Sequence, residues 1–222
     1  MGIDFEAQRI TMVDNQIRPS GVTSLDVLSA FLTIPRQEFV PAHFRQLAYI
    51  DSDIKVADTP EGPRYIMEPS PLARLVQLAA IKPDDVILEV GAATGYSAAI
   101  MGRLGGLIVA LESDEELAMA TSERLSQLGA DNIAVVTGPL KAGYPSEAPF
   151  DLIFFSGSLG VLPDTFLGQL RDGGRLVAVE GEGPSARAYY YLKHGDHVSR
   201  RAEFNVSVPP LPGFEETAVF EF

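Results

Sequence analysis

An α/β fold with a mostly parallel, doubly wound sheet is what three features of this 222-residue sequence predict. Five short apolar runs recur after residue 85, helix-length segments separate them, and a glycine-bearing turn follows the first run. The first half reads instead as short helices punctuated by turns. Residues 1–80 are therefore expected to form an N-terminal helical and substrate-loop segment, and residues 81–222 the core, within one compact domain.

In chain order, Ser24 is placed to cap a helix over Leu25–Leu32. Pro35 and Pro41 then pin an extended stretch that Phe39 and Val40 anchor on the core. A second short helix is expected over Ala42–Tyr49. Residues 51–68, which contain Pro60, Gly62 and Pro63, read as a long loop of the kind used as a lid or binding loop. Ser70-Pro71 opens a helix as cap and first helical position, with Leu72, Leu75, Val76 and Ala79 on its apolar face. Val86–Val90, Leu107–Leu111, Ile133–Val136, Leu152–Phe155 and Arg175–Val179 are the strands of consecutive βαβ units. Tyr189–Leu192 and Ala218–Phe222 are strand-like with no helix between them, and Pro209–Gly213 turns the chain. Together they predict an antiparallel pair at the C-terminal edge of the sheet.

Composition narrows the function. A formal net charge of −13 repels a phosphate backbone, so neither nucleic acid nor an anionic membrane surface is an expected partner. The absence of cysteine removes disulfides, thiolate nucleophiles and Cys-based zinc sites. His43, His194 and His197 make no convincing metal set, and the last two flank a Gly-Asp pair that reads as a solvated turn. The acidic start, Met1–Glu6, lacks the pattern of a secretory signal, and no window approaches the roughly 20 apolar residues of a membrane span. A cytoplasmic protein is expected.

Doubly wound sheets bind ligands where the crossover direction reverses, at the carboxyl ends of the strands. Here the first strand ends in Glu89-Val90-Gly91-Ala92-Ala93-Thr94-Gly95-Tyr96, whose glycines permit close backbone approach to a ligand. The spacing Gly91-x-x-x-Gly95 is a poor fit to the dinucleotide pattern Gly-x-Gly-x-x-Gly. Glu112, at the end of the second strand, is placed to accept both hydroxyls of a ribose; the bland alternative is a solvated acid ahead of a helix capped by Ser113 or Asp114. Glu89 either orients the turn or a ligand's amino-acid moiety, or is merely a strand-end acid.

The chain resembles the protein-L-isoaspartate O-methyltransferases, which methylate isomerised aspartyl carboxylates with S-adenosylmethionine in protein repair. The likeness rests on Met12–Ile17, Ile34-Pro35-Arg36-Gln37-Glu38-Phe39-Val40-Pro41, Leu47–Asp51, the turn Leu88–Tyr96, and Pro149-Phe150-Asp151 through Leu170–Val177. It implies a Rossmann-like S-adenosylmethionine-dependent methyltransferase fold, with that cofactor held by Glu89, Gly91, Ala92, Ala93, Gly95, Tyr96, Glu112, Ser113, Gly138, Pro139, Leu140 and Ser156. Departures fall at the site. The family's Gly-Gln-Thr-Ile-Ser-x-Pro, beside the acceptor carboxylate, is Pro63-Arg64-Tyr65-Ile66-Met67-Glu68-Pro69 here, so Tyr65 and Met67 stand at the acceptor positions. Gly138-Pro139-Leu140 replaces Gly-Asp-Gly, Ser156-Gly157-Ser158-Leu159 replaces Thr-Ala-Ala-Ala, and Ala93 replaces the middle glycine of the turn. Two alternatives follow from these departures: a methyltransferase for a different acceptor, and a non-catalytic homologue that binds a partner. For the second, Phe31, Phe39, Phe44 and Tyr49 would serve an interface, where ordinary core packing is the competing explanation.

Overall fold

The computed structural model describes residues 3–215. Helix α1 (Phe5–Met12) is capped by Asp4, which accepts from the Ala7 amide at 2.9 Å, and runs on through a π turn over Val13–Ile17. As the sequence predicts, α2 (Leu25–Thr33) starts at Ser24, whose hydroxyl accepts from the Val27 amide. The stretch between the two prolines is not wholly extended, since Arg36–Glu38 forms a 3₁₀ turn, but Phe39 and Val40 are buried as expected. The helix over Ala42–Leu47 is likewise 3₁₀, a geometry common in short connecting turns.

The long loop expected over 51–68 is instead largely a β-hairpin, β1 (Ile54–Thr59) and β2 (Gly62–Ile66), with Ile54 opposite Ile66. Its prolines misled the sequence reading. In a two-stranded ribbon each strand has a free edge, and Pro63 sits there without breaking the pairing. Helix α3 (Pro69–Ala79) begins two residues before the predicted start, with Pro69 rather than Pro71 in the first turn position and the Glu68 amide donating to Asp53 Oδ1 at 2.8 Å. Its predicted apolar face, Leu72, Leu75, Val76 and Ala79, is buried.

The five apolar runs form β3 (Val86–Val90), β4 (Leu107–Glu112), β5 (Ile133–Thr137), β6 (Phe150–Leu159) and β7 (Leu170–Glu180), with α4 (Tyr96–Gly102), α5 (Glu115–Gln127) and α6 (Thr165–Gly168) between them. All four pairings among these strands are parallel. Antiparallel β8 (Arg187–His194) and β9 (His197–Asn205) complete the order β5-β4-β3-β6-β7-β8-β9. The chain thus winds outward from β3 in one direction, returns, and winds out in the other, which puts the reversal between β3 and β6. Residues 189–192 pair antiparallel with β7 on one side and with β9 on the other; Ala218–Phe222, the strand expected opposite them, lie outside the described residues. Ser199, Arg200, Arg201 and Glu203 hid β9 from a search for apolar runs; as an edge strand it is protected by its charges, and Arg200 stacks on Tyr189 at 3.8 Å.

Helices α1 to α3 and the hairpin cover one face of the sheet, in a core that joins Phe31, Phe39 and Tyr96 to Ile87, Leu152 and Phe154. Phe31, Phe39 and Tyr49 are buried there, and Phe44 is half-buried against it, so these residues pack the core. A second core on the other face joins Leu88, Val90, Leu111 and Phe155 to Leu140, Phe166, Leu211 and Phe214. Among the described residues no helix is long and apolar enough to cross a membrane.

Candidate cofactor site

The turn after β3 holds three consecutive demands on its backbone. Gly91, Ala93 and Gly95 all have positive φ, at 82°, 50° and 86°. A Cβ on Gly91 would lie 2.4 Å from Leu211 Cδ2, so only glycine fits beneath that side chain. Ala93 carries its Cβ in a left-handed conformation that costs an L-residue about 1–2 kcal/mol. It is held from both sides: its amide donates to Glu112 Oε2 at 3.0 Å, and its carbonyl accepts from Thr121 Oγ1 at 2.8 Å. Gly95 faces α5, where a Cβ would meet Thr121 Cγ2 at 2.8 Å. Helix α4 starts at Tyr96, as the sequence predicts, but the Tyr96 ring packs into the core against Phe31 and Phe39, with the Arg36 guanidinium 4.8 Å above it.

Glu112 is fully buried at the end of β4. Besides the Ala93 amide, it accepts from the amides of Ser113 (2.8 Å) and Asp114 (3.2 Å), and from Arg64 Nε at 3.0 Å. The helix cap beyond it is Asp114, which accepts from Leu117, and not Ser113. Ser113 Oγ accepts from Arg64 Nη2 at 2.7 Å and donates to Glu61. Arg64 comes from β2, and only 1% of its surface is exposed. The carboxylate placed for a ribose is thus met by a guanidinium from the chain itself.

Glu89 lies one strand over, also fully buried, and accepts from Ser97 and Ser156 through one oxygen while the other has no partner among the described residues. Burial pushes its carboxyl up to about 7, against the downward pull of the two serine hydroxyls. The folded state therefore binds this proton more tightly than the unfolded chain, whose value is 4.5. The stabilisation is complete below that value and is lost as pH rises through 7. Glu89→Gln removes this slope: between about pH 4.5 and 8 the wild type is expected to lose up to roughly 3 kcal/mol more unfolding free energy than the variant. Parallel pH curves in denaturant titrations would contradict this.

Half of the predicted positions line cavities at the turn. Tyr65, Met67, Gly91, Ala93 and Ser156 line two adjoining cavities; Ala92, Tyr96 and Ser97 add to one, and Arg64 with Pro209–Pro212 to the other. Ser113 and Glu112 lie behind Arg64. Gly138, Pro139 and Leu140 follow β5 and line neither cavity; Leu140 is buried in the core that includes Leu211 and Phe214. Sequence reasoning missed Arg64 and the strap at 209–214. It took Pro209–Gly213 for a simple turn, whereas the Ser158 amide donates to the Pro209 carbonyl and the Leu211 amide to the Ser158 carbonyl, both at 2.9 Å, which lays Leu211 over Gly91. The available signal was Leu211 and Phe214, two large apolar residues in a proline-rich segment.

The family profile described as Protein-L-isoaspartate(D-aspartate) O-methyltransferase (PCMT) matches residues 7–213. A protein-L-isoaspartate O-methyltransferase of Koribacter versatilis is 38% identical, over 85% of this chain and 83% of its own. One from Herpetosiphon aurantiacus is 34% identical, over 94% and 92%. Among solved structures, a protein-L-isoaspartate O-methyltransferase superposes with a TM-score of 0.81 at 26% identity, covering 93% of this chain and 67% of that one. A Plasmodium falciparum structure in complex with S-adenosyl-L-homocysteine, carrying the same family description, shares the fold with a TM-score of 0.74 at 19% identity, over 95% and 99%. With its parallel sheet, its glycine turn and the acid at the end of β4, this chain belongs to the protein-L-isoaspartate(D-aspartate) O-methyltransferase family, whose members are S-adenosylmethionine-dependent methyltransferases.

Proposed function

We propose that this chain transfers the methyl group of S-adenosylmethionine to an isoaspartyl carboxylate of a damaged protein, in the cytoplasm. The observation that carries this reading is the placement of Glu112 and Gly91 at the carboxyl ends of adjacent parallel strands, beside the reversal of the sheet. The donor set suits the cofactor. Glu112 is a fixed carboxylate for a diol, the oxygen of Glu89 left without a partner among the described residues suits an ammonium group, and Gly91 adds no Cβ of its own to the turn. Bound there, the cofactor supplies an electrophilic methyl group on a sulfonium.

The protein's own task is then alignment and exclusion of water. A carboxylate acceptor is already ionised near neutral pH, so no general base is required of the chain, and the lack of a histidine or cysteine in the site is consistent with the reaction. Met67, buried beside the turn, and Tyr65 give this side of the site apolar and aromatic walls.

A second reading, methylation of a different acceptor, is favoured by the same two residues, which replace the hydroxyl-bearing pair of the resemblance. Incubation with labelled S-adenosylmethionine and an isoaspartyl peptide is expected to label the peptide. Cofactor binding without labelling favours the second reading. Absence of any calorimetric heat with S-adenosylhomocysteine, in the wild type and in variants that open the site, overturns both.

A further inference from the structure

The two cavities at the turn hold about 10 Å³ each, room for roughly one water molecule apiece. A pocket that encloses a small-molecule cofactor ordinarily measures about 300–1,000 Å³. The shortfall is filled by identifiable side chains. Arg64 occupies Glu112, and Leu211 lies on Gly91 and on Gly157, where an added Cβ would come within 2.7 Å of Leu211 Cγ.

We propose that the chain carries its own competitor for the cofactor site: Arg64 on Glu112 and Leu211 on the glycine turn hold it shut, and cofactor enters as the β1–β2 hairpin and the 209–214 strap withdraw. This rests on the methyltransferase reading above and adds a step to it. The hairpin is suited to such movement. It has two strands only, which are marginal alone, and Arg64 is the side chain that ties it to the end of β4. The tie is incomplete, because Arg64 Nη1 is buried without a partner among the described residues and a desolvated guanidinium recovers part of its cost only through the bonds it makes. The strap is held by three backbone bonds to the end of β6, those of Ser158 and Leu211 and that of the Gly160 amide to the Phe214 carbonyl at 2.8 Å. Hairpin and strap adjoin, since a Cβ on Gly62 would lie 3.0 Å from Pro212 Cγ, so displacement of one loosens the other.

A ligand that binds only the open form shows an affinity reduced by the fraction open. Weakening the closed form therefore tightens binding without any new contact. Calorimetry with S-adenosylhomocysteine on the full chain is the test, comparing wild type, Arg64→Gln and Leu211→Ala. Leu211→Ala leaves the Arg64–Glu112 pair intact, which covers the case in which Arg64→Gln fails to fold. The expected result is a Kd at least about tenfold lower in whichever variants fold, corresponding to about 1.4 kcal/mol. Hydrogen exchange of the wild type is expected to quicken at residues 54–66 and 209–214 when ligand is added. Equal affinities in wild type and variants overturn the competitor and leave the methyltransferase reading standing. No binding in any of the three overturns the cofactor reading, and the competitor with it.

Discussion

Glu112→Ala is expected to lower the unfolding free energy by about 3–5 kcal/mol and the unfolding temperature by roughly 10 °C, an effect unlike that of an ordinary ligand-binding acid. An open binding site leaves its acid solvated, and truncation there costs the fold little. Here the acid is fully buried and neutralises a guanidinium of which only 1% is exposed. Its loss leaves Arg64 with the half-exposed Glu61, at 3.3 Å, as its remaining carboxylate partner, and removes the acceptor from the amides of Ala93, Ser113 and Asp114. The Ala93 bond matters doubly, because it steadies a left-handed alanine. Adding Arg64→Met to Glu112→Ala is expected to restore part of the loss, since the buried cation that only the half-exposed Glu61 would then offset disappears with it. Calorimetric melting of both single variants and the double gives the coupling energy directly. A coupling near zero would mean that the pair is not closed in solution.

The contrast between what could and could not be read from the sequence follows the same line. The central strands were legible because a strand covered on both faces must be apolar along its length, and Ile87, Leu88 and Val90 are each wholly buried; the edge strand β5, which is only partly buried, was legible from its own branched residues. The face of α3 was legible from its period. Glu112 and the Gly91 turn were placed correctly at the end of the sheet because the doubly wound topology dictates where chain reversal leaves room. What the sequence hid were buried arginines and the segments that carry them or cover the site. Arginine is mostly exposed in folded proteins, so Arg36 and Arg175 gave no sign of being interior. Arg36 donates to the carbonyls of Ala48 and Met67, joining the first half of the chain to the residues that wall the site. Each such contact spans a sequence separation that no local pattern encodes. Arg64 carried one weak signal: it is the charged residue inside Pro63-Arg64-Tyr65-Ile66-Met67, an otherwise uncharged run, and if that run is buried the charge requires an acid partner such as Glu112.

Arg175→Met supplies the counterpart at the opposite end of the sheet, with an expected loss of about 3–5 kcal/mol and no change in affinity for S-adenosylhomocysteine. Arg175 and Asp85 form a second buried pair, at the start of β3, and Arg175 also donates to the carbonyls of Ala79 (2.5 Å), Ala80 (3.0 Å) and Asp151 (3.3 Å). It therefore closes the C-terminus of α3 and fastens it to the starts of β3 and β6. The two pairs are alike in burial and in chemistry, so they isolate location as the variable. No ligand is expected at the amino ends of these strands, so removing Arg175 exacts its full cost in stability. At the carboxyl ends a cofactor offers Glu112 new partners, and part of what Arg64→Gln costs in stability returns as tighter binding. Denaturant unfolding and calorimetric titration on the two variants separate the cases: both lower stability, and Arg64→Gln alone raises affinity. Equal shifts in affinity would show that loosening any buried pair opens the site, and that Arg64 has no special place in holding it shut.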